Sequence, residues 1–373
     1  MSAEAAKAEP RMFLAALGEL EAQAERAGET LRLLERLELL VAGVEAAAQS
    51  GAVDVSRHRA RAERLLEALS ADDFEAALEE AATLCREVVA EYARRRLGAS
   101  VEAGGCPHPD TVKAVEAMLR AAGPMEPLVR AALAAGADTV EKLVSNAGLL
   151  ARSWGRLSQS LSRIHRSLAR LEKSVGLDRG KMTAWLAARL SEAASAADAL
   201  ALLEAAEKLL YTASAVASET AERLVEATEA QRRCGAWRAR LPCRLLDRAA
   251  AALAAARSEL EALDRASSLE EAEARVRAAE ARLRDARRSL EALRRLYKAF
   301  TGRPGDGGLE ALVEPLLEQL HRHAVTMEEE QVLEILVDRG TVDVMELHES
   351  NPRLSRAALR LCTRRIAHCT VSL

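Results

Sequence analysis

The chain has 373 residues and a formal net charge of −4, so it is long enough for two or three domains, and its overall charge attracts neither nucleic acid nor an anionic membrane. Apolar residues make up 49% of the chain but aromatic residues only 2%, which is little aromatic bulk for a typical ligand pocket. The abundant Ala, Leu, Glu and Arg all favour helix. The composition therefore predicts an all-α protein built from coiled coils and helical bundles.

The sequence also predicts where the protein resides. It shows no basic-then-apolar signal peptide and no run of about 18 apolar residues that could cross a bilayer. We therefore expect a soluble, cytoplasmic protein and no membrane partner. We expect buried thiols in a reducing compartment from its six cysteines, which form no Cys-x-x-Cys pair: Cys85, Cys106, Cys234, Cys243, Cys362 and Cys369. A disulfide between Cys234 and Cys243, which flank a helix break, is the alternative.

Two segments rich in Gly and Pro, 98–110 and 301–308, predict linkers. They divide the chain into three predicted domains: an N-terminal helical domain (1–98), a helical bundle and coiled-coil region (110–300), and a C-terminal helix followed by a small module (309–373). In the N-terminal domain we expect about four helices, with boundaries near Gly28, Gly51 and Ser70.

A heptad pattern begins at Leu150. Apolar residues recur at alternating steps of four and three, at Leu150, Trp154, Leu157, Leu161, Ile164, Leu168, Leu171 and Val175, which is typical of a coiled coil. Similar patterns run through 199–227, 246–263 and 269–297. We expect 243–300 to form an antiparallel coiled-coil hairpin roughly 45 Å long. A protruding hairpin in an elongated molecule and one compact bundle both fit the pattern, and either offers a surface for self-association or a protein partner.

The last segment, Met327–Leu373, differs from the body. It predicts in order a helix at 331–339, a short strand at 341–343, a helix at 344–349, a turn at Asn351-Pro352, a basic helix at 354–367 and a final strand. This order resembles a winged-helix or helix-turn-helix domain, although the wing hairpin is missing. The resemblance implies a third helix that lies in the DNA major groove, and versions without a wing suit protein contacts instead.

Three basic clusters are candidate nucleic-acid contacts. One is the outer stripe of the last helix, which contains no acid: Arg353, Arg356, Arg360 and Arg364. The second lies opposite the heptad seam: Arg152, Arg156, Arg163, Arg166, Arg170 and Lys173. Both stripes could track phosphates, whereas the second could instead be a solvated face paired with Glu-rich neighbours such as 71–98. The third surrounds Trp237, which would stack on a base or fill a helix junction: Arg232, Arg233, Arg238, Arg240, Arg244 and Arg248.

No residue set specifies a reaction. The segment 176–183 lacks the spacing of a phosphate loop, and His321 and His323 point to opposite faces of a helix. We therefore expect no enzyme activity, no cofactor and no metal. The sequence favours an intracellular coiled-coil scaffold or adaptor, associated with DNA through its helix-turn-helix-like module.

Two alternatives remain for this function. One is a DNA-binding transcription regulator that dimerises through its coiled coil. The other is a membrane-remodelling polymer protein, because a basic helix leading a helical hairpin with a C-terminal winged helix is broadly similar to archaeal division proteins of the ESCRT-III type.

Overall fold

The computed structural model describes residues 5–102, 104–364 and 366–367, and only the backbone of 5–18, 20 and 22. Every named element within these residues is helical, which confirms the predicted all-α class. The first seven α-helices are α1 (Ala5–Ala48), α2 (Arg59–Ser70), α3 (Phe74–Tyr92), α4 (Pro109–Ala122), α5 (Glu126–Ala134), α6 (Val140–Val175) and α7 (Arg179–Ser191). The next seven are α8 (Ala196–Cys234), α9 (Leu241–Glu261), α10 (Leu269–Thr301), α11 (Leu309–Arg322), α12 (Met327–Arg339), α13 (Val344–Ser350) and α14 (Pro352–Thr363).

These helices form two compact units. The first unit comprises Met1–His165 and Thr183–Ala205, and the second comprises Arg166–Met182 and Ala206–Leu373. Helices α6 and α8 each contribute to both units. The C-terminal segment 309–373 belongs to the second unit together with α9 and α10.

In the first unit, α1 packs against α3 and α4, and α2 packs against α3. A cluster of Cys85, Val89 and Val140 lies in this core, with Leu40 and Val44 of α1 packed against it. The predicted helix boundary near Gly28 is wrong, because α1 runs through it without a break. A glycine inside a helix costs roughly 1 kcal/mol, and the strong helix formers on both sides outweigh that cost.

The second unit contains a closely packed pair of helices. Helices α9 and α10 pack along each other and are joined by a 3-10 turn at Leu263–Arg265. Ser268 caps α10 by accepting a hydrogen bond from the Glu271 N–H at 3.2 Å. Other helices of the unit also contact this pair: Gln231 of α8 donates to Asp247 of α9 at 2.7 Å, and α11 and α12 both pack against α9 and α10.

The apolar seam of α6 is buried as the heptad pattern predicts. In the first unit, Leu150, Leu157, Leu161 and Ile164 are at most 4% exposed, and only Trp154 is half-buried. In the second unit, the seam residues Leu168, Leu171 and Val175 are buried as well. The seam therefore belongs to the cores of both units.

Two predictions about the cysteines and the tail need correction. Cys85 is bonded to Cys106 and Cys234 to Cys243, so these four residues are not free thiols, and Cys362 is disulfide-bonded too. Residues 341–343, predicted as a strand, are irregular and lead into α13, because the Asp343 side chain accepts the Met345 N–H at 2.7 Å and so caps the helix. The predicted final strand lies outside the described residues.

Candidate nucleic-acid interface

The three C-terminal helices follow the predicted order. Helix α14 begins at Pro352, where the Asn351 side chain accepts the N–H groups of Arg353 and Leu354 at 3.1 and 3.4 Å. Proline fits the first helical position because it has no N–H to satisfy there. Ala357, Ala358 and Leu361 form the buried face of α14. The helix ends at Thr363, four residues before the predicted end.

The four arginines of the C-terminal stripe, Arg353, Arg356, Arg360 and Arg364, are called the tail arginines. They are exposed, but two of them are bound to a buried acid of α12. Glu329 is fully buried and receives hydrogen bonds from Arg360 Nε at 3.0 Å and Arg364 Nη1 at 3.2 Å. The same carboxylate accepts the Thr326 N–H at 3.0 Å, which completes the capping box of α12. Arg364 also donates to the carbonyl oxygen of His323 at 3.3 Å. These two arginines therefore join α14 to the start of α12.

Arg353 and Arg356 have no ion pair within the part of the chain that the structure describes. Arg356 lies near the centre of the exposed face of α14, beside Leu359, whose side chain is 53% exposed. Met345 of α13 is 69% exposed. The module formed by α12 to α14, called the tail module from here on, thus presents two cations without an ion pair together with exposed apolar groups.

The six cations predicted on the outer stripe of α6 fall into two sets of three. Arg152, Arg156 and Arg163 are exposed in the first unit, at steps of four and seven residues that keep them on one side of the helix. In the same unit, two acids of α3 pair with residues outside α6: Glu80 lies 3.1 Å from Arg61, and Glu91 lies 2.8 Å from His58.

The second unit carries the other three cations of α6, Arg166, Arg170 and Lys173, which are also exposed. Among the described residues, four of the six cations of this stripe have no ion-pair partner: Arg152, Arg156, Arg170 and Lys173. Such side chains are available to an anionic partner.

The third basic cluster is largely neutralised. Arg240 pairs with the fully buried Glu330, Arg244 lies 3.1 Å from Glu334, and Arg248 contacts Glu334 and lies 3.7 Å from Asp338. The Leu241 N–H also donates to Glu330 at 2.7 Å. Both rows repeat every four residues, so Arg240, which directly precedes α9, and the first two turns of α9 face three successive turns of α12. We call these six residues the Arg/acid ladder: Arg240, Arg244, Arg248, Glu330, Glu334 and Asp338.

The rest of that cluster surrounds Trp237, which is 40% exposed. Its ring meets His321 edge-on at 5.7 Å between centroids, and the Arg240 guanidinium carbon lies 5.9 Å from its centre. Arg233 pairs with Glu310 of α11, and Arg232 and Arg238 are exposed. The indole of Trp237 therefore packs against the last turn of α11 on one side and is exposed to solvent on the other.

The sequence contained the signal for the Arg/acid ladder. Residues 328–338 carry acids at 330, 334 and 338, and residues 240–248 carry arginines at the same spacing. Matching two stripes of equal period and opposite charge would have suggested their pairing, although nothing local brings together segments that lie 90 residues apart.

The described residues hold no group of three or more His, Cys, Asp or Glu side chains that could bind a metal ion. Nor does any helix among them have the length and apolarity needed to cross a membrane. Comparison with protein-family models, curated proteins and solved structures finds no match for this chain.

Proposed function

We propose that this protein is a non-enzymatic scaffold that associates with nucleic acid through the exposed cations of α6. The observation that carries the proposal is a contrast between the basic clusters. The third cluster is largely occupied by acids of α11 and α12, and half of the tail stripe is bound to Glu329. Arg152, Arg156, Arg170 and Lys173 are exposed and have no such partner among the described residues.

Arg152 and Arg156 in the first unit, and Arg170 and Lys173 in the second, each form an exposed pair that suits phosphate contacts, which give affinity without sequence preference. The tail module adds Arg353 and Arg356 as a second contact. A helix-turn-helix-like role for α12 to α14 rests on the helix order and on the exposed basic face of α14. Because two of the four tail arginines are bound to Glu329, we favour weak binding of this module to the phosphate backbone of DNA over recognition of its bases.

The scaffold part of the proposal rests on the long helices and their exposed apolar residues. In the first unit, Leu31 and Leu34 of α1 are 59% and 39% exposed. In the second unit, Tyr211 and Val225 of α8 are 65% and 57% exposed. Coiled-coil contacts with a second copy or a partner protein would bury such residues.

A salt titration of DNA binding tests the proposal. Anisotropy of a labelled 30-base-pair duplex is measured from about 50 to 300 mM salt for the wild type and for a variant with Arg152, Arg156, Arg170 and Lys173 changed to Gln. Each lost phosphate contact removes about 0.9 from the slope of log affinity against log salt, so the slope should fall by roughly three or four units.

In the matched control, four exposed arginines outside α6 are changed to Gln: Arg265, Arg277, Arg303 and Arg322. This control loses the same total charge as the α6 variant. Equal loss in both variants would mean that only net charge matters. Absence of wild-type binding near 50 mM salt would refute the nucleic-acid proposal. Strong dependence on base sequence would favour the transcription-regulator alternative, and binding to anionic vesicles but not DNA would favour the membrane alternative.

A further inference from the structure

The first unit contains a groove in which cations line an apolar surface. It lies between α1, α3 and the connection that precedes α4, and its volume is about 630 Å³. Arg36 of α1, Arg86 of α3 and His108 of the connection supply the charged and titratable groups. Leu39, Leu40 and Pro107 supply part of the apolar surface, and Leu39 is 48% exposed. None of the described lining residues is an acid.

The arginines of this groove are not committed to acids of the protein. Arg86 donates to Ala82 O at 3.3 Å and to Thr83 Oγ1 at 2.9 Å, both on its own helix. Arg36 is exposed, and no described acid forms an ion pair with it. Elsewhere in this unit arginines meet carboxylates, as Arg96 meets Glu116 at 3.0 Å. The described lining of the groove therefore carries two arginines that are not paired with an acid of the protein.

Two acids beside the groove's lining residues have contacts of their own. Glu141 of α6 accepts the Gly105 N–H at 2.8 Å, which also lowers the pKa of this carboxyl group. Asp110 lies 3.4 Å from His108 Nδ1. His108 Nδ1 accepts the Asp110 N–H at 3.3 Å, so the charged side chains of the lining are Arg36 and Arg86.

The groove has a fixed wall. Cys106 lines it and is bonded to Cys85 of α3, which is fully buried. A Cβ on Gly43 of α1 would lie 3.2 Å from the Cys106 sulfur, so α1 approaches the disulfide closely at that residue. The connection is thereby tied to α3 and packed on α1, and a preformed wall reduces the ordering cost of binding.

We propose that this groove binds an acidic, leucine-containing peptide segment of a partner protein. Arg36 and Arg86 would pair with carboxylates, and Leu39, Leu40 and Pro107 would receive apolar side chains. The surface suits a peptide better than nucleic acid, because much of it is apolar and a phosphate backbone offers no aliphatic groups to bury there. The proposal is independent of the α6 cations, since it uses other residues and another ligand.

The test uses full-length protein immobilised on beads and a degenerate library of twelve-residue peptides composed of Asp, Glu, Leu and Gly. A second library replaces the acids with Lys and Arg. We expect selective retention of acidic peptides that contain Leu. The double variant R36Q/R86Q should retain at least about tenfold less, because it removes both charge-assisted hydrogen-bond donors of the groove.

The control variant R94Q/R120Q removes two exposed arginines of the same unit outside the groove and should retain as much as the wild type. The variant L39E, which places an acid at an exposed apolar site, should also weaken retention. Equal retention by wild type and R36Q/R86Q, or preference for the basic library, would overturn the proposal. So would a labelled 20-nucleotide DNA that binds through Arg36 and Arg86 while the acidic peptides are not retained.

Discussion

Arg364, the last of the four tail arginines, donates a hydrogen bond at 3.2 Å to Glu329, which is fully buried at the start of α12. The sequence shows these residues as a surface cation and an acid in the first turn of a helix. In the structure they belong to one cluster with Arg360, Thr326 and the His323 carbonyl. Two of the four arginines in a stripe that predicts a binding surface therefore make contacts within the protein that join α14 to α12.

Replacing Glu329 by Gln should therefore destabilise the tail. The substitution removes the charge that both Arg360 and Arg364 neutralise inside a buried site. Losing one partner of a buried ion pair costs about 3–5 kcal/mol, and because both arginines are partly exposed we expect about 2 kcal/mol. Urea unfolding followed by circular dichroism measures this. The exposed Glu349, changed to Gln, is the matched control, and equal stability of the two variants would contradict the assignment.

The tail arginines should separate into two pairs in a DNA-binding assay. Changing Arg353 and Arg356 to Ala should reduce the salt slope by about two units, because their side chains are available to phosphates. Changing Arg360 and Arg364 to Ala should lower the melting temperature instead. The measurements are duplex anisotropy against salt and a thermal melt for each double variant. Equal salt slopes for the two double variants would show that Arg360 and Arg364 contact phosphates despite their bonds to Glu329.

Replacing Leu161 by Asp should destabilise the first unit. Leu161 is 3% exposed within the apolar seam of α6, and a carboxylate there would lie buried without a partner. We expect a loss on the order of 3 kcal/mol or more in unfolding free energy. The exposed Gln159, changed to Asp two residues away, introduces the same charge on the same helix. Unchanged stability of L161D would disprove burial of the seam.

Glu271 should contribute to acid sensitivity. Hydrogen bonds from the Ser267 N–H, the Ser267 hydroxyl and Arg275 lower the pKa of this carboxyl group from 4.5 to about 2. Because folding lowers its pKa, its stabilising effect is complete above pH 4.5 and is lost as the pH falls from there through about 2. E271Q should therefore show a smaller decrease in melting temperature between pH 6 and pH 2 than the wild type. The exposed Glu273, changed to Gln, serves as control, and identical pH profiles for E271Q and wild type would contradict the prediction.

The Cys234–Cys243 bond should stabilise the junction of α8 and α9. A closed loop of this size restricts the unfolded chain by about 2–3 kcal/mol. The double variant C234A/C243A should lose that much stability, whereas reductant should have no further effect on this site. Alkylation of unfolded, unreduced protein followed by mass spectrometry checks the bond directly, and labelled Cys234 or Cys243 would disprove it.

The all-α class and the seam of α6 followed from local pattern, because helix propensity and heptad spacing depend on nearby residues. Leu150, Leu157 and Leu161 are all buried as that spacing predicts. The break near Gly28 was wrong because one glycine is a weak signal against strong helix formers on both sides. The side chains of Asp343 and Asn351 cap α13 and α14 at their first turns. Because Asp343 caps α13, residues 341–343 lead into that helix and do not form the expected strand.

Contacts between distant segments were not predictable in the same way. Periodicity places Arg244 and Arg248 on one face of α9, but it does not say which helix covers that face. The same holds for Arg36 and Arg86, which share a groove only because α1 and α3 pack together. The α6 and tail arginines are recognisable from their stripes. Which of them are available to a ligand is not, because the acids that neutralise some of them lie far away in the chain.

The Arg/acid ladder implies a constraint on how this chain can change over generations. Arg248 contacts Glu334 and lies 3.7 Å from Asp338, so a sign change at position 248 alone would place three carboxylates together. Related sequences should therefore vary at positions 240, 244, 248, 330, 334 and 338 as a set. A chimera that joins the body of one relative to the segment after residue 308 of another should assemble only when the two parents carry complementary charges at these positions.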